Sequence, residues 1–121
     1  MNVNEQENDI LEVEVSIKEY EEAIALMEAL DRLQTNKDFD LVITEGLFKE
    51  ESARAVILRA DPMMQSESEQ KNVNDIITTI GGMWAYFSKI YGLGQRAKDN
   101  LASDETTKEE LLAEQIGAEV H

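Results

Sequence analysis

One stretch, residues 66–102, carries its apolar side chains at the three- and four-residue spacing of a single helix face. The apolar positions are Val73, Ile76, Ile77, Ile80, Met83, Trp84, Phe87, Ile90 and Tyr91. Ser66 followed by Glu69 forms a capping box, whose hydroxyl and carboxylate satisfy free N–H groups of the first turn. Because the stretch also holds the only tryptophan, we expect the core to form around one long helix at about 67–102. The predicted fold class is mainly α, as a helical hairpin or small helical bundle around this helix.

Two adjacent glycines, Gly81 and Gly82, lie inside this helix, and Trp84 and Phe87 follow within five residues. Each glycine costs about 1 kcal/mol against alanine in a helix interior. Either they let another helix or a second copy approach closely, or they kink the helix. We predict a close-packing or oligomer contact at Gly81, Gly82, Trp84 and Phe87, although burial in an ordinary core is the commoner role of such aromatics.

A different sequence pattern lies near the N-terminus, before the predicted long helix. Residues 1–9 are polar and acidic and are predicted to be disordered. Residues 11–17 alternate apolar and polar side chains, which predicts an extended arm or a single β-strand. No second segment alternates comparably, so a strand here would pair with another copy or with a partner's sheet edge. Leu11, Val13 and Val15 are then the predicted partner-binding residues; alternatively the arm packs them against the helices.

Capping signals divide the region between the arm and the long helix. Ser16 begins a capping box and predicts the start of one helix. Asn36 predicts the cap of a short helix over 37–45, which Gly46 would end in a left-handed conformation. A further helix is predicted over 48–60.

The net charge of −15 is concentrated at the two ends of the chain. Residues 1–22 hold eight acidic residues and one basic residue, and residues 103–121 hold six acidic residues and one basic residue. Such a chain is repelled by nucleic acid and by anionic lipid, which favours partners with a basic surface. The alternative is that the acidic ends only maintain solubility.

These changes of pattern predict three parts. They are a disordered acidic tail over 1–9, a single helical domain with its arm over 10–102, and an acidic C-terminal helix and tail over 103–121. A polar break over 103–107 separates the last two parts.

The residue types needed for catalysis are scarce. There is no cysteine, and the only histidine is His121, the last residue, which is either native or derived from cloning. Metal-binding patterns such as H-E-x-x-H and the glycine-centred calcium loop do not occur. We therefore predict no enzyme activity, no catalytic residues, no metal site and no cofactor. We also predict no direct nucleic-acid binding, no secretory signal and no membrane span, since the chain has no apolar run of about 18 residues.

Three segments carry a resemblance to a known group of proteins. They are 27–51 (with LDRLQTNKDFDLVITEGLFKEE), 60–70 (ADPMMQSESEQ) and 76–82 (IITTIGG). The chain resembles small acidic helical proteins of tailed bacteriophages over about residues 16–115. The resemblance implies a non-enzymatic role in building or decorating a virion, with the protein in the virion or in the host cytoplasm during assembly. It implies no functional residues.

The leading hypothesis is a phage virion component or assembly factor that acts through protein–protein contacts. Its partners would be phage structural proteins, other copies of itself, or both. One variant is a scaffold whose mobile C-terminal helix contacts a shell protein and later leaves. The alternative is an acidic phage inhibitor that binds the basic site of a host nucleic-acid enzyme. That role needs carboxylates at regular spacing on a rigid face, and the predicted flexibility of the ends argues against it.

Overall fold

The architecture is known from a computed structural model that describes residues 3–120 of the chain and the side chains of residues 4–117. The elements are α1 (Val3–Gln34), the single turn α2 (Lys37–Phe39), a π-helix (Asp40–Glu51), α3 (Ser52–Ala60), a 3₁₀ turn (Pro62–Met64) and α4 (Glu67–Val120). Residues 3–120 contain no β-strand, so the prediction of a mainly α fold is confirmed. His121 lies outside the described residues.

The predicted N-terminal arm or strand over 11–17 is wrong, because these residues lie inside α1. Alternation over so short a segment also fits a helix whose two faces both carry apolar side chains. Val13 is half-buried, whereas Leu11 and Val15 are 58% and 57% exposed on the outside of the helix. Ser16 therefore does not begin a helix but lies in the middle of one.

Both ends of the chain are more helical than expected. Residues 3–9, assigned by the sequence to a disordered tail, belong to α1, and the polar segment 103–107 belongs to α4. Inside that segment the hydroxyls of Thr106 and Thr107 each donate to the carbonyl four residues earlier, at 3.0 Å. These side chains thus bond within the helix instead of capping a new one. The long helix predicted over 67–102 accordingly extends to Val120.

The chain divides into two compact units. We call Met1–Glu28 together with Ile90–His121 the terminal unit, and Ala29–Lys89 the central unit.

In the terminal unit, parts of α1 and α4 pack as an antiparallel pair. Lys108 Nζ of α4 lies 3.2 Å from a carboxylate oxygen of Glu14 in α1, and Gly94 of α4 packs on Met27 of α1. Later residues of α1 thus contact earlier residues of α4, as in an antiparallel pair. Buried and half-buried residues recur at alternating steps of three and four, the seam spacing of a coiled coil. They are Gln6, Ile10, Val13, Ile17, Tyr20, Ile24 and Met27 on α1, and Ile90, Gly94, Ala97, Leu101, Asp104, Lys108, Leu111 and Gln115 on α4.

The core of the central unit lies where the helices of residues 29–89 meet. Leu30, Ala55, Val73 and Ile80 are buried there. A cluster of aromatic rings extends this core: Phe39, Phe48, Trp84, Tyr86 and Phe87 contact one another at ring-centroid distances of 5.3 to 6.2 Å.

The π-helix runs through Gly46 and joins the two helices that the sequence predicts on either side of it, and the second of these is present as α3 from Ser52 onward. Four of the half-buried residues in this region, Phe39, Ile43, Phe48 and Ser52, follow one another at steps of four, five and four residues, wider than in an α-helix. This wider spacing matches the i→i+5 hydrogen bonding of a π-helix. Gly46 has no left-handed backbone, so its predicted role as a helix terminator is wrong.

Two predicted caps are confirmed. The Asn36 side-chain oxygen accepts from the N–H groups of Asp38 and Phe39 at 2.9 and 3.1 Å. Ser66 Oγ accepts from the N–H of Glu69 at 3.2 Å and donates to its carboxylate. These local bonds fix where the helices of the central unit begin.

Candidate protein-interaction site

An apolar groove of about 480 Å³ lies within the central unit, between the segment 48–59 and α4. Its lining residues are Phe48, Ser52, Ala55, Val56, Arg59, Ile77, Ile80, Gly81 and Trp84. Among these described residues only Arg59 is charged. Ala55 and Ile80 are the buried residues of this lining, one from each side of the groove.

Trp84 stands at the edge of this groove and is 61% exposed. Its ring meets Phe48 edge to face, with centroids 5.3 Å apart and an interplanar angle of 84°. Phe87 is half-buried and lies 5.7 Å from the same Phe48 ring. The two aromatics that the sequence singles out therefore differ in exposure: both belong to the ring cluster, but Phe87 is half-buried, whereas Trp84 also presents apolar area to solvent.

The glycine pair lies on the exposed side of α4. Apart from the neighbouring residues and backbone of its own helical turn, no described atom lies within 4 Å of a Cβ position on Gly81 or on Gly82, so neither residue is a close contact between helices inside the chain. Gly81 lines the groove and Gly82 does not. A contact of these glycines with another copy stays a prediction.

The other wall of the groove was not identified from the sequence as part of a site. Val56 is 65% exposed and lines the groove, whereas its neighbour Ile57 is 67% exposed and does not. Both residues are β-branched and apolar. No local signal distinguishes them, because the orientation of α3 depends on its contact with α4.

The residues proposed for strand addition have a different setting in the structure. Val13 takes part in the seam of the terminal unit, and Leu11 and Val15 lie one turn apart on its outer surface. Strand pairing requires an extended backbone, which residues 11–17 do not have.

The acidic residues are concentrated in the terminal unit. Its two segments hold 16 acidic and four basic residues, a net charge of −12, and the central unit accounts for the remaining −3. Glu5, Glu12 and Glu19 form one row at seven-residue steps along α1, and Glu7, Glu14, Glu21 and Glu28 form a second; all are exposed. On a helix, seven residues span two turns, or about 10 Å.

Other kinds of site are not seen in the described part of the chain. Residues 3–120 contain no group of three or more metal-ligating side chains. None of the helices there has an apolar stretch long enough to cross a membrane.

No protein-family model, curated protein or solved structure matches this chain.

Proposed function

We propose that this chain is a non-enzymatic interaction protein that takes part in building or decorating a bacteriophage particle, as an oligomer or bound to a larger structural protein. The observation that carries the proposal is the groove of the central unit with Trp84 at its edge. The phage setting is supported by the resemblance of the segments 27–51, 60–70 and 76–82.

Two residues that line the groove, Trp84 and Val56, leave apolar side-chain area in contact with water. Burying a large apolar side chain is favourable by about 1.5–3 kcal/mol relative to leaving it exposed. Trp84 and Val56 forgo much of this stabilisation although they border a shaped apolar surface. Contiguous exposed apolar surface of this kind marks protein contacts, and tryptophan is enriched among the residues that dominate them.

The test is affinity capture of the tagged chain from cells in which the phage that encodes it replicates, with partners identified by mass spectrometry. Recovery of capsid, portal or tail proteins supports the proposal. Recovery of a polymerase, nuclease or defence protein instead contradicts the structural role and favours the second candidate below.

Two variants assign the capture to the groove. Val56→Glu places a charge in the groove, and Ile57→Glu places the same charge on the adjacent, equally exposed residue outside it. We expect Val56→Glu to abolish recovery and Ile57→Glu to retain it. Equal recovery with both variants would place the contact elsewhere.

A second candidate, an acidic inhibitor of a host nucleic-acid enzyme, is favoured by the two glutamate rows. The objection that the acidic ends are flexible does not apply to these carboxylates, because both rows lie at regular spacing on α1. A basic enzyme surface that normally holds phosphates would be attracted to such rows.

Salt dependence tests this second role. Binding through the rows should weaken steeply with added salt, and Glu12→Lys with Glu19→Lys should weaken it further. Binding that is insensitive to salt and to both substitutions would exclude the inhibitor role.

A further inference from the structure

We infer that the groove of the central unit is occupied by a second copy of this chain, in a two-fold contact in which each copy presents Trp84 to the other. This inference rests on the proposed function for its phage setting, and it adds to that function by naming one partner that binds the groove.

The patch around the groove is complementary to itself. A two-fold contact brings the same surface patch of both copies together, so the patch must supply both a projecting group and a space to receive it. Trp84 is the projecting group. The open position at Gly81, three residues earlier on the same helix and with no described atom near its Cβ position, lines the receiving space.

The negative charge of the chain is distributed unevenly between its two units, and this distribution favours a contact between copies at the groove. Two copies that each carry −15 repel one another, and the repulsion is smallest where the local charge is smallest. The central unit carries −3 against −12 in the terminal unit, and the described residues lining the groove include one arginine and no acid. A partner with a strongly basic surface would be drawn to the terminal unit instead. The groove therefore suits a copy of this chain better than it suits a basic partner.

The adjacent glycines Gly81 and Gly82 of α4 have open space beside them inside the chain. Glycine is unfavourable in a helix interior, and nothing described inside the chain uses the space at Gly81 or Gly82. Close approach of a second α4 at Gly81 gives that glycine a packing role that the single chain lacks.

The experiment uses the purified full chain. Sedimentation velocity and tryptophan emission are recorded over about a thousandfold range of concentration, wide enough to bracket a micromolar dissociation constant. Because Trp84 is the only tryptophan, its emission reports on this one position. We expect a monomer–dimer equilibrium, with emission shifting to shorter wavelength as the dimer forms. A chain that stays monomeric with unchanged emission overturns the inference.

Two matched variants assign the dimer to the groove. Gly81→Leu fills the groove, while Gly82→Leu adds the same side chain next to it in open space. We expect Gly81→Leu to raise the dimer dissociation constant at least about tenfold and Gly82→Leu to leave it within about twofold. Leucine favours a helix over glycine, so circular dichroism should show both variants fully helical. Equal weakening by both variants, or by neither, overturns the inference.

The outcome is independent of the capture experiment. A monomeric chain whose capture of phage proteins is blocked by Val56→Glu means that the groove binds a different protein. That result overturns the second-copy inference and leaves the proposed function standing.

Discussion

A Cβ atom built on Gly94 lies 2.6 Å from the Cβ of Met27, so these two residues set how closely the helices of the terminal unit approach. Since Met27 is almost fully buried, its side chain has little space into which to move. The close approach that the sequence predicts at Gly81 and Gly82 is thus found, inside the chain, at a different glycine.

We expect Gly94→Ala to destabilise the protein by about 1–3 kcal/mol, the usual cost of overpacking, despite alanine's advantage in a helix. Gly92→Ala is the matched control, because no described atom lies within 4 Å of its Cβ position. It should stabilise by up to about 1 kcal/mol. Urea unfolding of both variants measures the difference, and stabilisation by both would contradict the contact.

The π-helix gives a second prediction at Gly46. A Cβ there would lie 3.0 Å from the carbonyl oxygen of Leu41, an approach tighter than ordinary contacts. We expect Gly46→Ala to give no stabilisation, although alanine gains about 1 kcal/mol at an unrestricted helical position. Gly82→Ala supplies that reference, since its Cβ position is open. An equal gain in melting temperature for both variants would show that Gly46 is not constrained.

The ion pair of Glu14 with Lys108 should contribute little to stability. The two side chains are 46% and 36% exposed, so water screens their attraction. A double-mutant cycle with Glu14→Gln and Lys108→Met should give a coupling of about 0.2–1 kcal/mol that disappears in high salt. A coupling well above this range, or one that salt leaves unchanged, would mean that the pair is more shielded than its exposure indicates.

Added salt should stabilise the protein as a whole. The terminal unit carries −12, and the resulting repulsion between its helices is screened over about 10 Å at 0.1 M salt. We expect the melting temperature to rise between low salt and about 0.5 M sodium chloride, where screening is stronger still. Glu12→Gln with Glu19→Gln should reduce this salt effect. A melting temperature that falls with salt would mean that attractive ion pairs outweigh the repulsion.

Local signals in the sequence predict local structure only in part: the caps at Asn36 and Ser66 are confirmed, whereas the helix start at Ser16 and the helix end at Gly46 are wrong. Asn36 and Ser66 were identified as caps because a cap needs only a side-chain oxygen and the next few N–H groups. The apolar spacing from Val73 to Tyr91 likewise predicted a long helix, which α4 contains.

Features that depend on contacts between residues far apart in the sequence are not predicted. In α1, the step from Val13 to Ile17 belongs to a seam that continues to Met27, but the alternation with exposed Leu11 and Val15 favoured a strand. In α4 the seam includes the charged residues Asp104 and Lys108. Because the pattern of apolar residues is interrupted there, the sequence predicts a break in the helix.

The candidate site was predicted only in part. Trp84 was singled out because it is a rare, large side chain beside two glycines. Val56, on the opposite wall, was not, since only the packing of α3 against α4 distinguishes it from Ile57.

The most direct test of an interaction face in the central unit is photo-cross-linking of the full chain. A photoreactive benzoylphenylalanine replaces Val56 in one variant and Ile57 in another, two neighbours of nearly equal exposure. We predict covalent adducts with a second copy of the chain from position 56, which lines the groove, and few adducts from position 57. Equal yields at both positions, or no adduct at either, would contradict a protein contact at this groove.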